Sequence, residues 1–475
     1  MKKHNINYFK IVLLIVPFFF GVLGFAVIEH EPLSDAFFNS ILMYFLNYGD
    51  TPPNFALEIA RWTAPLATAG GIIIAFHRLS LSLKHKFQYL HGNTTAVYGN
   101  RAAKDTLLEE LGNKGIDCED ELVPAHRYIL IGDERENLDF YTHYHKELKD
   151  IPVFIKCSTL RAQTIADSNV RLFSSEELAS RIFWKQQSLY ERFLQNHETL
   201  DIVFVGFERL GEELLIWGLQ NLLFSSNQKI HYHIFGYGDS FLALHPYLDQ
   251  IEDTITFHRS NWNEKPEIIE NSDMTIILQQ DDQLSLLYNM LSLIHNKSFY
   301  VFADQPEYLS MMDESERLHI FDWKREALQL ENIVDNVLLK RAQRINLRYA
   351  HIYSNVEETS ENAEIEWEKL NTFTRYSNIS AADYQEVRIE MLKHMGYTTS
   401  DTVIRDKDME LLAGLEHERW CRYHYLNNWH YGIPSNGKNK DFDLRIHTDL
   451  VPYSSLSEED KVKDRENIHI LLSIE

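Results

Sequence analysis

The sequence predicts an α/β chain with an N-terminal transmembrane helical hairpin, two tandem parallel-sheet units and a mostly helical C-terminal domain. Three observations carry that prediction. Within residues 1–90, two long apolar runs are separated by an acidic loop. Over residues 91–323, short apolar runs alternate with amphipathic stretches of helical period, and the pattern occurs twice. Beyond residue 323 the strand signal gives way to charged, helical periodicity. Strand–helix alternation points to parallel sheets, because parallel neighbours need a crossover between them. The expected boundaries are 1–90 for the hairpin, 91–198 and 199–323 for the two sheet units, 324–404 for a helical connector and 405–475 for the last domain.

Composition narrows the classes of function. The chain has 475 residues, 44% hydrophobic and 24% charged, which is ordinary for a folded protein. Lys and Arg number 46 against 70 Asp and Glu, a net charge of −24. Such a surface repels phosphates and no basic run offsets it, so no nucleic-acid partner is expected. Cys118, Cys157 and Cys421 are far apart and odd in number, which excludes a disulfide framework and a Cys-rich zinc site. A mean hydropathy of −0.32 excludes a polytopic transporter.

Residues 11–28, IVLLIVPFFFGVLGFAVI, carry no charge. At ~1.5 Å per residue they cover about 27 Å, close to the hydrocarbon core of a bilayer. The run leads into IEHEPLSD and not into a small-residue cleavage site, so it reads as a span and not as a signal peptide. The second run is residues 55–76, in which Glu58 and Arg61 share a helix face. Lys2, Lys3 and Lys10 precede the first run, and Arg78, Lys84 and Lys86 follow the second. The intervening loop holds Glu29, Glu31, Asp35 and Asp50. Positive residues stay inside, so both termini are expected in the cytoplasm and the protein in the inner membrane.

Between the runs, residues 36–46 are apolar but too short to span, and Asn47-Tyr48-Gly49-Asp50 follows. This layout resembles a two-helix potassium-channel subunit. The resemblance implies that Asn47, Tyr48, Gly49 and Asp50 line a pore through backbone carbonyls, in a homotetramer. Asn47 stands where that family has a glycine, and Phe45 where it has a threonine. The alternative is a two-helix anchor with an interfacial helix.

The first sheet unit opens with a strand over residues 94–100 and a helix over 101–114, then a strand over 127–133, a helix over 136–148 and a strand over 153–156. The second has strands over 201–206, 230–235, 254–257, 274–278 and 299–304, with helices over 209–223 and 282–295. Each first strand ends in a glycine turn of the Rossmann kind, where glycines let the backbone approach a pyrophosphate. In the second unit Gly206 and Gly211 remain, but Glu208 replaces the middle glycine and would oppose a phosphate. Phe235 and Gly236 stand where an acid would hold a ribose. In the first unit only Gly99 remains, with Arg101 and Lys104 at the other two positions. The units therefore read as Rossmann-like without an NAD-type cofactor. The pair resembles the nucleotide-binding units of potassium-transport regulators, the RCK or TrkA-N family. In that family such units follow a two-helix pore and pull on it.

The C-terminal domain reads as two helices joined by a long polar loop. Glu416, Arg419 and Trp420 share a helix face. Trp429 and Tyr431 leave the loop on one side if it is extended, and His447 and Tyr453 return from its far end. Aromatics, a guanidinium and a histidine suit a flat polar ligand such as a nucleobase. The opposing reading makes Trp420, Trp429 and Tyr453 simply the core of a small domain. Glu416-His417, Arg419-Trp420, Trp429, Tyr431-Gly432, His447, Leu450, Pro452, Leu456, Lys461 and Asp464 closely resemble the RyR domain, the repeat named after the ryanodine receptor. Residues 377–383 resemble the segment that precedes this domain in bacterial proteins. The resemblance implies a sensor of small, nucleotide-derived ligands, with Glu416, His417, Arg419, Trp420, Trp429, Tyr431, His447, Tyr453, Lys461 and Asp464 as its ligand-binding residues. Ser435-Asn436-Gly437-Lys438 departs from a usually more acidic family loop.

No catalytic constellation stands out. His143 and His145 flank Tyr144 without a third ligand at zinc spacing, and neither HExxH nor Cys-x-x-Cys occurs. No metal, no cofactor and no enzyme are expected. The expected function is a ligand-gated membrane protein, an ion channel or a membrane effector of nucleotide-signalled antiviral defence. The alternatives are an anchored sensor or scaffold without a pore, and an NAD-dependent oxidoreductase.

Overall fold

Short runs rich in Val, Ile, Tyr and Phe form the strands, as residues suited to a pleated, covered surface should. The computed structural model describes residues 15–47, 52, 54–119, 121–159, 169–303, 306–312, 315–335, 337–397, 403–435 and 437–472. The chain divides into two units, residues 1–94 and 95–475.

In the second unit the first sheet comprises β1 (Thr95–Tyr98), β2 (Gly115–Cys118), β3 (Arg127–Leu130), β4 (Val153–Lys156) and β5 (Val170–Phe173). All pairs are parallel and the order is β2-β1-β3-β4-β5, the flavodoxin-like winding. The second sheet comprises β6 (Thr199–Val205), β7 (Lys229–Phe235), β8 (Thr254–His258), β9 (Met274–Ile277), β10 (Phe299–Phe302) and β11 (Leu318–Phe321). Its order, β11-β10-β9-β6-β7-β8, is the Rossmann winding, again all parallel. Both units are thus Rossmann-like, but they are not copies of one plan. Sequence reading missed β2, β5 and β11, of which β2 reads Gly-Ile-Asp-Cys and carries little strand signal.

Gly99 is the tightest point of the first sheet. Its φ is +140°, and a Cβ there would lie 2.3 Å from the backbone nitrogen of Gly132. Gly99→Ala should therefore cost more than about 1 kcal/mol, read as a fall in melting temperature.

The C-terminal part is helical, with Val337–Ser354, Ser360–Glu368, Thr372–Asp383, Gln385–His394, Asp406–Leu426 and Glu458–Leu472. Three short strands, β12 (His430–Tyr431), β13 (Lys440–Asp441) and β14 (Ile446–His447), fill the loop between the last two helices. These helices share one apolar core with the second sheet. It runs from Ile202, Phe204 and Tyr232 through Leu214 and Leu215 to Ala381, Leu412 and Leu415. Arg181 fastens the helix Ser175–Gln186 to Asp383 at 2.6 Å.

The N-terminal unit packs a short helix, Leu33–Leu42, and a 37-residue helix, Phe55–His91, with residues 15–28. Phe25, Ala36, Met43, Leu57, Ala60 and Ala64 form its core. Asn54 caps the long helix by accepting from the Leu57 amide, and its own amide group donates to Glu29 at 2.9 Å. Among the described residues no helix is long and apolar enough to cross a membrane. The expected transmembrane hairpin is corrected to that extent. Residues 15–22 are α-helical and pass into a π-helical turn at Leu23–Ile28, and residues 11–14 lie outside the description.

Candidate ligand-binding site

The glycine turns of the two sheets are closed by the protein itself. In the second sheet Gly206 has a φ of +96°, and a Cβ on it would lie 2.7 Å from the Gln279 nitrogen. The Val205 carbonyl accepts from the amides of Leu278 (2.9 Å) and Gln279 (3.0 Å), which draws β9 across the turn. Phe207 packs against Gly211 and Gly236 and meets Phe241 and Phe257 edge-on. Its side chain joins the apolar core beside the turn and is 9% exposed. Arg209 turns aside to Glu213 (2.9 Å) and the Ser158 carbonyl (2.8 Å). In the first sheet Lys104 pairs with Asp117 at 2.6 Å. The amides of Ser158 and Thr159 donate to Glu134, so a carboxylate of the chain occupies this pair of anion-binding groups.

The helix Asp406–Leu426 builds a different site. Glu416 and Arg419 lie one turn apart and join in a fork, with Nε at 3.1 Å and Nη2 at 2.7 Å from the carboxylate. Arg388, from the helix Gln385–His394, donates to the same carboxylate at 2.6 Å. Arg419 also donates to the Ser380 hydroxyl at 2.8 Å. All three charged side chains are buried, and two guanidiniums on one carboxylate leave a net charge of +1. Burial opposes ionisation of Glu416, but the two guanidiniums outweigh it and hold its pKa below the ordinary value.

A cavity of about 320 Å³ opens beside this triad. Arg419 and Trp420 form one wall, Asn346 and Tyr349 a second, and Ser377 and Asn378 a third. Asn467 closes it and accepts from the Tyr349 hydroxyl. The cavity therefore combines an aromatic surface, hydroxyl and amide groups, and a buried positive excess.

Behind Trp420 sits His417. Its Nδ1 lies 3.3 Å from Asp464 and its Nε2 2.8 Å from the Val451 carbonyl, so each ring nitrogen faces an acceptor. Burial alone would lower its pKa, but the hydrogen bond to Asp464 and the contact with Cys421 outweigh it and raise it to about 10. The folded value lies above the ordinary 6.5, so this stabilisation is complete below about pH 6.5 and is lost as pH rises towards 10. The difference in melting temperature between the native protein and Asp464→Asn should accordingly shrink from about pH 6 to about pH 9.5. A constant difference would show that His417 carries no charge. Trp420 also contacts His424, at 3.9 Å between ring centres, and meets His447 edge-on at 5.0 Å. Burial pushes His424 down to about 3, which leaves it neutral at pH 7.

The residues singled out by sequence do not share one place. Glu416, Arg419 and Trp420 reach the cavity, while His417, Asp464 and His447 support it from behind. Trp429 belongs to an apolar cluster with Cys421 and Leu450 and stacks on Phe373 at 4.9 Å, which is its core role. Tyr431 is exposed, so the two do not share a side: Trp429 precedes β12 and turns inward, and Tyr431 lies on that strand. Tyr453 donates to Glu410 at 3.1 Å, and Lys461 lies over its ring and pairs with Glu458. Asn47 is exposed in the N-terminal unit, and Tyr48, Gly49 and Asp50 lie outside the described residues. Sequence reading missed Asn346, Tyr349 and Asn467, which carry no local signal. It noted Ser377-Asn378 but expected a connector there and not a cavity wall.

Two doubly wound sheets with a helical module built onto the second define the chain as a multi-module α/β protein. Residues 404–474 match the RyR domain. No curated protein matches the chain.

Proposed function

We propose that the chain is a ligand-responsive membrane protein whose C-terminal module binds a small, flat, anionic ligand of nucleotide type. The observation that carries this reading is the cavity beside Arg388–Glu416–Arg419, where a buried positive excess adjoins the Trp420 ring. A cavity of about 320 Å³ is at the small end of the range that holds such molecules. An anion neutralises the excess charge, and an aromatic face takes a base by stacking. The cavity walls include helices that share the core of the second sheet, so ligand energy that differs between two packings of those helices would bias that sheet.

The membrane half of the proposal draws support from the surface of the long helix. Phe55, Ile59, Trp62, Leu66, Phe76, Leu83 and Phe87 are exposed along it at helical spacing. Exposed apolar side chains on one face suit lipid or neighbouring copies and not water. We place the termini in the cytoplasm, propose a homotetramer, and assign the Asn47–Asp50 loop to an ion path. Asn47 in place of a filter glycine favours one second reading, an anchored sensor without a pore.

Release of potassium and sodium from liposomes holding the full chain tests the proposal. The expected result is flux that appears with one nucleotide of a cyclic and linear panel and vanishes in Trp420→Ala. Binding without flux would leave the anchored sensor, and neither binding nor flux would reject both readings.

A further inference from the structure

Sheet register brings Asp201 beside two histidines that lie 30 and 32 positions further along the chain. Asp201 on β6 pairs with His231 on β7, and His233 follows two residues later on the same face. The face opposite carries Ile230, Tyr232 and Ile234 into the main core. On the Asp201 face a second apolar layer covers Val203, Val205 and Phe235, and the two histidines and Asp201 lie half-buried at its margin.

The Asp201 Oδ1 atom lies 3.1 Å from His231 Nδ1 and 3.5 Å from His233 Nε2, and the three ligand atoms are within 4.8 Å of one another. Tetrahedral zinc with bonds of about 2.0–2.1 Å holds its ligand atoms about 3.3–3.4 Å apart. The separations seen to Asp201 bracket that value, and the two histidine nitrogens lie within 4.8 Å of each other. A carboxylate and two imidazoles are a donor set suited to zinc and its neighbours, and three protein ligands leave a position for water.

We propose that Asp201, His231 and His233 bind a divalent transition-metal ion, with Zn²⁺ as the ion that fits. His258 on β8 is the supporting group: its Nε2 lies 3.2 Å from His233 Nδ1. Metal at His233 Nε2 requires the proton on Nδ1, and His258 Nε2 accepts it. Lys265 opposes this arrangement. Its Nζ lies 3.5 Å from His258 Nδ1 and, as a donor, favours the tautomer in which His258 donates to His233. Loading the site therefore turns the protons of both rings and moves the half-exposed Lys265 away.

The test uses the full chain, free of any affinity tag and stripped with chelator. Zn²⁺ is titrated against a chromophoric chelator, and Co²⁺ is followed by its visible absorption. The expected result is one equivalent bound with tetrahedral cobalt bands. His233→Gln should weaken binding by at least about 100-fold and His258→Gln by about 10-fold, since even supporting partners are worth 10–100-fold. Lys265→Met should tighten binding. Asp201→Asn, close in shape to the native residue, serves if a histidine variant fails to fold, and Zn²⁺ should raise its melting temperature less than that of the native protein. No saturable equivalent in the native chain, or equal affinity in His231→Gln/His233→Gln, would overturn the proposal.

Discussion

Glu416→Ala is expected to destabilise the C-terminal module by about 3–5 kcal/mol, the cost of removing the one carboxylate from a buried ionic cluster. Arg388 and Arg419 both donate to Glu416, and their side chains are 0% and 2% exposed. Without it two guanidiniums face each other in a medium that solvates neither. Burial lowers the Arg388 pKa, which Glu416 opposes. Glu416→Gln should be nearly as severe, because it keeps the shape and removes the charge. Thermal melting and soluble yield measure the effect. An added anion that raises the melting temperature of the native chain, and raises that of Glu416→Ala further because it meets two unpaired guanidiniums, would tie the cluster to the cavity.

The second large effect is expected at Arg422. Its Nη1 lies 2.6 Å from Asp253 and 3.0 Å from the Leu219 carbonyl, and its Nη2 lies 2.8 Å from Glu418. Arg422 is on the first helix of the RyR module, whereas Asp253 immediately precedes β8 and Leu219 lies on the helix after β6. This is the charged link between module and second sheet. Arg422→Met keeps most of the volume but leaves Asp253, 0% exposed, with only the Gln228 amide. A loss of about 3–5 kcal/mol follows from the same physics. Because the link joins module to sheet, limited proteolysis should degrade Arg422→Met faster than the native chain. Melting as firm as that of the native chain would show that the apolar core alone holds the two together.

Much of the fold was legible because its signals are local. Runs such as Asp-Ile-Val-Phe-Val-Gly mark a covered strand and its turn without reference to the rest of the chain. Gly206 and Gly211 marked the Rossmann turn. The packing of Phe207 against Phe241 and Phe257 was not legible, since any residue at that position could point outward. The strand β2 was missed because glycine and aspartate dilute its pattern, and pairing with β1 decides its state. The site was half legible. Helical spacing correctly put Glu416, Arg419 and Trp420 on one face. Arg388, Tyr349 and Asn467 come from other helices, and only tertiary packing brings them there. Trp429 and Tyr431 misled because a two-residue period was applied to a chain that turns at Asn428, where φ is +62°. The grouping of Asp201 with His231 and His233 was not legible for a related reason: strand register and not spacing brings Asp201 to the pair.

The most direct measurement is calorimetric titration of the purified full chain with a panel of cyclic and linear nucleotides, repeated on Trp420→Ala and Tyr431→Ala. Stacking on an aromatic ring is worth about 1–3 kcal/mol per base, or roughly 5- to 150-fold in affinity. The predicted result is saturable binding of one nucleotide that weakens by that factor in Trp420→Ala and is unchanged in Tyr431→Ala. Binding that survives Trp420→Ala undiminished, or no binding by any nucleotide, would contradict the assignment of the cavity as the ligand site.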